Sequence, residues 1–187
     1  MIKSASFADF GDQSWPSLDY LKPYFLAPKG QEWFNHFGND TAGFTIYGAN
    51  GTEHLEGYKG RIDVHLLLWG DPEHGVFLMW RKTGGGFSEF RSSKGDPSLD
   101  KKWTRTLHGD AMPLWLYIPF AEAWKAVQEF IETDGELPKS IAWINNNDLP
   151  EYTFPAPHDI VLPGEKPARV LTPEEAVRAI ALGQGKV

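Results

Sequence analysis

At 187 residues, 41% of them hydrophobic and 14% aromatic, the chain is long enough to bury a core as one domain and too apolar to be disordered. A net charge of −7 argues against non-specific nucleic-acid binding, which needs clustered lysine and arginine to neutralise phosphate. With no cysteine, disulfides, thiolate catalysis and cysteine-ligated zinc or iron–sulfur centres are excluded.

Residues 1–40 scatter aromatics (Phe7, Phe10, Trp15, Tyr20, Tyr24, Phe25) among prolines and glycines, which predicts an irregular arm with one short helix packed on the core. GQEWFNHF at 30–37 reads as a helical turn. Strand signals then follow one another. GFTIY (43–47) alternates and meets a turn at Asn50-Gly51. IDVHLLLW (62–69) starts alternating and becomes continuously apolar, as a central strand does. It turns through 70–75 into VFLMWR (76–81), the clearest hairpin. Gly84-Gly85-Gly86 reads as the next turn and FSEFRS (87–92) as the next strand. Residues 103–108 and 114–117 supply one or two more.

The period then changes. In PFAEAWKAVQEFIETDG, apolar residues fall at 120, 123, 124, 127, 130 and 131, one face of a helix. Pro119 suits its first turn and Gly135 its C-terminal cap. A strand over 140–144 follows, then a proline-rich connector over 150–167. A last helix begins at the capping box Thr172-Pro173-Glu174-Glu175 and ends at Gly183. The order predicts an α+β fold: a mainly antiparallel sheet, one central amphipathic helix on it and a short C-terminal helix. The division expected is one domain over 1–187, with the arm at 1–40, the core at 43–150 and the connector and helix at 152–187.

No chemical motif stands out. The six histidines show neither HxxxH nor HExxH spacing, so no metal site or other cofactor is implied. Asp63 and His65 share a strand face and could orient an imidazole for base catalysis, although a half-buried histidine with a neighbouring acceptor reads the same way. The triple glycine lacks the following helix that a phosphate cradle needs. There is no GxSxG for a serine hydrolase. A paired-carboxylate hydrolase stays open, as does a carbohydrate-binding module stacking sugars on exposed tryptophans at 69, 80, 103, 115 and 143.

Charge distribution is more informative. Seven acidic residues lie between Glu129 and Asp159 with Lys139 as the one base, so this segment holds −6 of the chain's −7. The carboxylates bracket Ile141-Ala142-Trp143-Ile144, the most buried-looking strand, and Asn145-Asn146-Asn147 adds donors and acceptors. Asp134, Glu136, Asn145, Asn146, Asn147, Asp148 and Glu151 are therefore the candidate partner-binding residues, an anionic surface suited to a basic protein.

The run MPLWLYIPFAEAWKAVQEFIETDGELPKSIAWINNNDLP has a strand ending in Ile-Pro, an amphipathic helix, a glycine turn, a proline and a short strand with a central tryptophan. With GFSEFRSSKGDPS upstream, this resembles the first-numbered immunity-protein family of bacterial polymorphic toxin systems, over about residues 43–150. Pro119, Phe130, Gly135, Pro138 and Trp143 punctuate the likeness. The resemblance implies an α+β fold and a non-catalytic protein that binds and neutralises a cognate toxin domain, a deaminase or nuclease with a basic cleft. It implies no direct nucleic-acid contact, no cofactor and no membrane. The N-terminus MIKSASFADFGDQSW lacks a signal peptide's apolar core, and no apolar run spans a bilayer, so the expected location is the cytoplasm.

Overall fold

The computed structural model describes residues 1–7, 14–33 and 41–165. Strands β1 (Ile2–Ser6), β2 (Thr41–Tyr47), β3 (Asp63–Asp71), β4 (Gly75–Gly84) and β5 (Phe87–Ser93) form an antiparallel meander in chain order, and β9 (Trp143–Asn145) closes the far edge beside β5. The helices α1 (Leu18–Leu26) and α2 (Phe120–Glu132) pack against one another on one face of this sheet. Between β5 and α2 the chain makes a small hairpin, β6 (Trp103–Arg105) with β7 (Ala111–Pro113), and a short strand β8 (Tyr117–Ile118). The α+β class and the antiparallel sheet expected from the sequence are both present. The expected C-terminal helix lies outside the described residues.

Strict alternation fixes which face is inside. Ala42, Phe44 and Ile46 on β2 and Val64, Leu66 and Leu68 on β3 are buried, and every residue between them is half-buried. Val76, Leu78 and Trp80 continue this face on β4. Helix α2 answers with Phe120, Ala123, Trp124, Ala126, Val127 and Phe130, the face its spacing predicted with Ala126 added. At roughly 1.5–3 kcal/mol for each large apolar side chain removed from water, these contacts dominate the stability of the helix layer.

The N-terminal aromatics are part of this core. An irregular arm was expected. Instead β1 pairs residue for residue with β2, from Ile2↔Tyr47 to Ser6↔Gly43, and becomes the sheet's first edge. The expected short helix is α1, capped by Ser17, whose side chain accepts the Tyr20 amide. Phe25 lies 5.6 Å from Trp124 and 5.7 Å from Trp33, ring centre to centre, and Phe7 stacks on Phe44 at 5.9 Å. Serines alternating with Lys3 and Ala5 gave β1 too weak an apolar signal to be read as a strand. Residues 30–33 form a turn and a segment without regular structure, ending at Trp33 with φ +55°, not helix, and the rest of that expected helical turn lies outside the described residues.

Strand β4 serves two partners. Its second half pairs with β5, from Met79↔Ser92 to Gly84↔Phe87, while Val76 and Phe77 pair with β8. At the junction the buried Ser93 hydroxyl accepts the Leu78 amide at 3.0 Å and donates to the Leu116 carbonyl at 2.7 Å. The triple glycine makes a hairpin turn. Gly85 (φ +60°) and Gly86 (φ +79°) occupy the two central positions, where a primed turn requires positive φ. Residues 114–116 were expected as strand but form a buried 3₁₀ turn, because a continuous apolar run does not distinguish the two.

Candidate partner-binding surface

The acidic segment begins at the C-terminal end of α2. The chain turns there at Gly135 (φ +90°), whose amide returns to the Phe130 carbonyl and whose carbonyl accepts the Trp80 indole at 3.0 Å. Asp134 and Glu136 flank this turn and are exposed. Asp134 forms an ion pair with Lys3 on the edge strand β1. Glu129, though acidic, serves the fold: its carboxylate accepts the amides of Lys139 (2.8 Å) and Ser140 (2.9 Å). Partial burial pushes its carboxyl up, but these amides outweigh that and hold it below the ordinary range.

Those two amides are thereby kept from any ladder, so the strand expected over 140–144 starts later, at Trp143. It is also less buried than its composition suggested. Ala142 is exposed, and Ile141, Trp143 and Ile144 are half-buried, because β9 is an edge strand. The Trp143 indole donates to the Pro138 carbonyl at 2.6 Å and ties the edge to the loop before it.

The asparagines then stiffen the acidic loop. The Asn145 side chain accepts the Asn147 amide at 3.0 Å and caps a 3₁₀ turn over Asn146–Asp148. The Asn146 side chain accepts the Ser92 hydroxyl at 2.9 Å and anchors that turn to β5. A second turn, Glu151–Thr153, is held by the Trp103 indole on the Thr153 carbonyl (3.1 Å) and by the Tyr152 hydroxyl on Asp100 (3.0 Å). Asn147, Asp148 and Glu151 project into solvent from this frame. Among the described residues, no ion pair or side-chain hydrogen bond engages Glu136, Asp148 or Glu151.

The candidate residues therefore fall into two groups. Asn145 to Glu151 sit together beyond β9, while Asp134 pairs with β1 at the opposite edge. The turn that carries Asp134 lies over the inner face of the sheet, where the Gly135 carbonyl accepts the Trp80 indole of β4. Glu136 is next to Asp134 in the chain. The two groups are anchored to different parts of the fold, Asp134 through Lys3 to β1 and the asparagine loop through Ser92 to β5.

The sheet face opposite the helices is the other accessible surface. The β6–β7 hairpin covers its β4 side: Phe77, Met112, Leu114, Trp115, Leu116 and Tyr117 form a second core cluster, with Trp69, Met79 and Ile144 packed on it. The β1–β3 side carries an open groove of about 440 Å³ with Tyr47 and Trp69 among its walls and Gly43 and Leu67 in its lining. Asp63 and His65 point out on this face but do not form a catalytic pair. The Asp63 carboxylate is taken by Arg61 (2.8 and 3.0 Å) and by the Gly48 amide (3.1 Å). The His65 Nδ1 lies 3.0 Å from the Thr45 hydroxyl. Burial, and then the neighbouring Arg81 charge, push His65 down to about 4 against the opposing pull of Asp63. An imidazole of that basicity is a weak base at neutral pH.

The tryptophans share no exposed platform. Trp80 and Trp115 are buried, Trp69 stacks on Phe77 at 5.0 Å, and the indoles of Trp103 and Trp143 are bonded to backbone carbonyls. Among the described residues no three histidine or acidic side chains come together as metal ligands, and no helix is long and apolar enough to cross a membrane.

A family model described as immunity protein Imm1 matches residues 48–145, from the end of β2 through β9. This chain belongs to the Imm1 family of immunity proteins. No curated protein and no solved structure matches it. The match spans most of the sheet, α2 and the β6–β7 hairpin, and it ends where the exposed part of the acidic loop begins. β1, α1 and β2 lie before the matched residues. β1 and β2 supply one edge of the sheet and most of the open groove, and α1 packs on α2.

Proposed function

We propose that this Imm1 protein binds a cognate secreted toxin domain that acts on nucleic acid, a deaminase or nuclease, and neutralises it in the cytoplasm by occlusion, without chemistry of its own. The observation that carries the reading is the loop beyond β9. Asn147, Asp148 and Glu151 are exposed and their side chains have no partners among the described residues, yet their backbone is pinned by Asn145, Asn146, Trp103 and Tyr152. Charges held this way lose little conformational entropy on binding. A toxin that grips a phosphate backbone presents a basic cleft, and an anionic, hydrogen-bonding edge is complementary to it. Such complementarity speeds encounter by ~10–10³-fold and confers specificity. Asp134 and Glu136 form a second acidic point beside the Gly135 turn. A tight complex buries roughly 1,600 Å² in total, so apolar anchors accompany the charges.

Co-expression with the product of the adjacent upstream toxin gene tests the reading. Growth is restored and the two proteins co-purify. A toxin that kills equally well with and without this protein would contradict it.

A further inference from the structure

The outer face of the sheet carries a polar row across four strands. Ser4, Thr45, His65 and Arg81 are successive cross-strand partners, so their side chains leave the same face side by side. The row ends on a cation with nothing to hold. Arg81 is half-buried and its Nε is fully buried. That atom is the one buried side-chain nitrogen or oxygen, among the described residues, without a hydrogen-bond partner. Arg81 also makes no ion pair among them.

Its surroundings explain why. The groups facing it are His65 and Phe90 directly across, Met79 and Thr83 along its own strand, and Asp63, Leu67, Ser88 and Ser92 diagonally. Asp63 is the one carboxylate, and Arg61 and the Gly48 amide occupy it. His65 is neutral at physiological pH. Among the described residues the site therefore holds an uncompensated positive charge, in a chain whose net charge is −7. Leaving a buried donor unsatisfied is costly, and a half-exposed guanidinium that carries one gains from a partner that supplies an anion.

We propose that Arg81 receives an aspartate or glutamate carboxylate of the toxin, which docks on the outer face of the sheet; this rests on the immunity reading above. A guanidinium edge offers two parallel N–H donors that match a carboxylate. The adjoining groove, walled by Tyr47 and Trp69 and lined by Leu67, takes the apolar side chains that flank that carboxylate and exclude water from the pair. The interface is then bipolar. Its acidic loop meets basic residues of the toxin and its sheet face meets an acidic one, which fixes orientation as charge attraction alone does not.

The test uses the full chain and a catalytically inactive form of the toxin domain encoded beside it. Arg81→Met keeps the apolar stem and removes the head group. It loses no hydrogen bond or ion pair, so the free protein melts no lower than wild type. Its affinity for the toxin falls by about 30-fold or more, as when one partner of a buried charge pair is truncated. Arg81→Lys keeps the charge without the fork and loses about 10-fold. In ¹⁵N-labelled protein the Arg81 Nε–H resonance moves downfield and exchanges more slowly in the complex. Wild-type affinity in both variants, or an Nε–H signal unchanged by the toxin, overturns the assignment and leaves the immunity reading standing. A wild-type protein that fails to bind the toxin overturns both. The same Nε–H change produced by millimolar inorganic phosphate alone would make the site a free-anion site and overturn the toxin assignment.

Discussion

His65 reports on the outer face with little interference, because what perturbs it is local. Its ring is half-buried on β3, within 3.0 Å of the Thr45 hydroxyl and across from Arg81. Burial and then the Arg81 charge lower its proton affinity, and Asp63 raises it less, leaving a folded value of about 4 against an ordinary 6.5. Between those two values the unfolded chain takes up a proton that the folded chain refuses. Stability is therefore flat above pH ~6.5 and falls as pH drops from 6.5 toward 4. At ~1.4 kcal/mol per tenfold change in proton affinity the full displacement is worth ~3 kcal/mol. Solvent screening of a half-buried ring reduces this to roughly 1.5 kcal/mol. For a chain of this size that is a loss of ~3–6 °C in Tm. Thermal melts across this range, compared with His65→Gln, isolate the contribution, because the carboxylates titrate alike in both proteins. An NMR titration of the His65 ring gives its pKa directly, and in Arg81→Met that pKa rises toward 6.5. A wild-type ring that titrates near 6.5, or a pKa that does not move in Arg81→Met, would refute the placement of the imidazole beside the guanidinium.

Three further perturbations probe the frame behind the acidic loop. Gly135→Ala forces a side chain into the left-handed region and sets its Cβ 2.5 Å from the end of Ile46, so thermal denaturation should show a loss of about 2 kcal/mol, or ~4–8 °C. Glu129→Ala removes the acceptor for two amides, and hydrogen exchange at Lys139 and Ser140 should accelerate with ~1–2 kcal/mol of lost local stability while the sheet stays protected. Arg105 grips both oxygens of Glu165 and the Ile160 carbonyl, and the arginine and the Leu162 amide hold the Glu165 carboxyl down to about 2. Glu165→Gln should expose the connector over 155–165 to proteolysis at neutral pH. Wild type should become equally sensitive as pH falls from ~4.5 toward 2, where the carboxylate takes its proton.

What the sequence revealed, and what it hid, follows from the range of the signals. Strands β2 and β3 and helix α2 were legible because each carries its own period over several residues, alternation in GFTIY and at the start of IDVHLLLW and a 3.6-residue face in FAEAWKAVQEFIE, while β4 and β5 were legible from the turns at 70–75 and 84–86 that bound them. Strand β1 was not legible, because IKSAS has no apolar stripe and becomes a strand only through pairing with β2. The acidic segment was legible as composition but not as a place. Glu129 is committed to loop amides, Asp134 to Lys3, and Asn145 and Asn146 to the loop's own frame, which leaves Glu136, Asn147, Asp148 and Glu151 as the candidate binding residues whose side chains have no partner among the described residues. The isolation of Arg81 was not legible in the sequence. Its isolation depends on Arg61 claiming Asp63, a choice between two arginines that only the folded strands decide.

The salt dependence of toxin affinity tests the central claim most directly. Wild-type protein should bind the neighbouring gene's toxin domain more weakly as ionic strength rises. Asp148→Lys with Glu151→Lys should bind more weakly at low salt and show a flatter dependence. Equal affinity and equal slope in the two proteins would remove the loop beyond β9 from the interface and contradict the account.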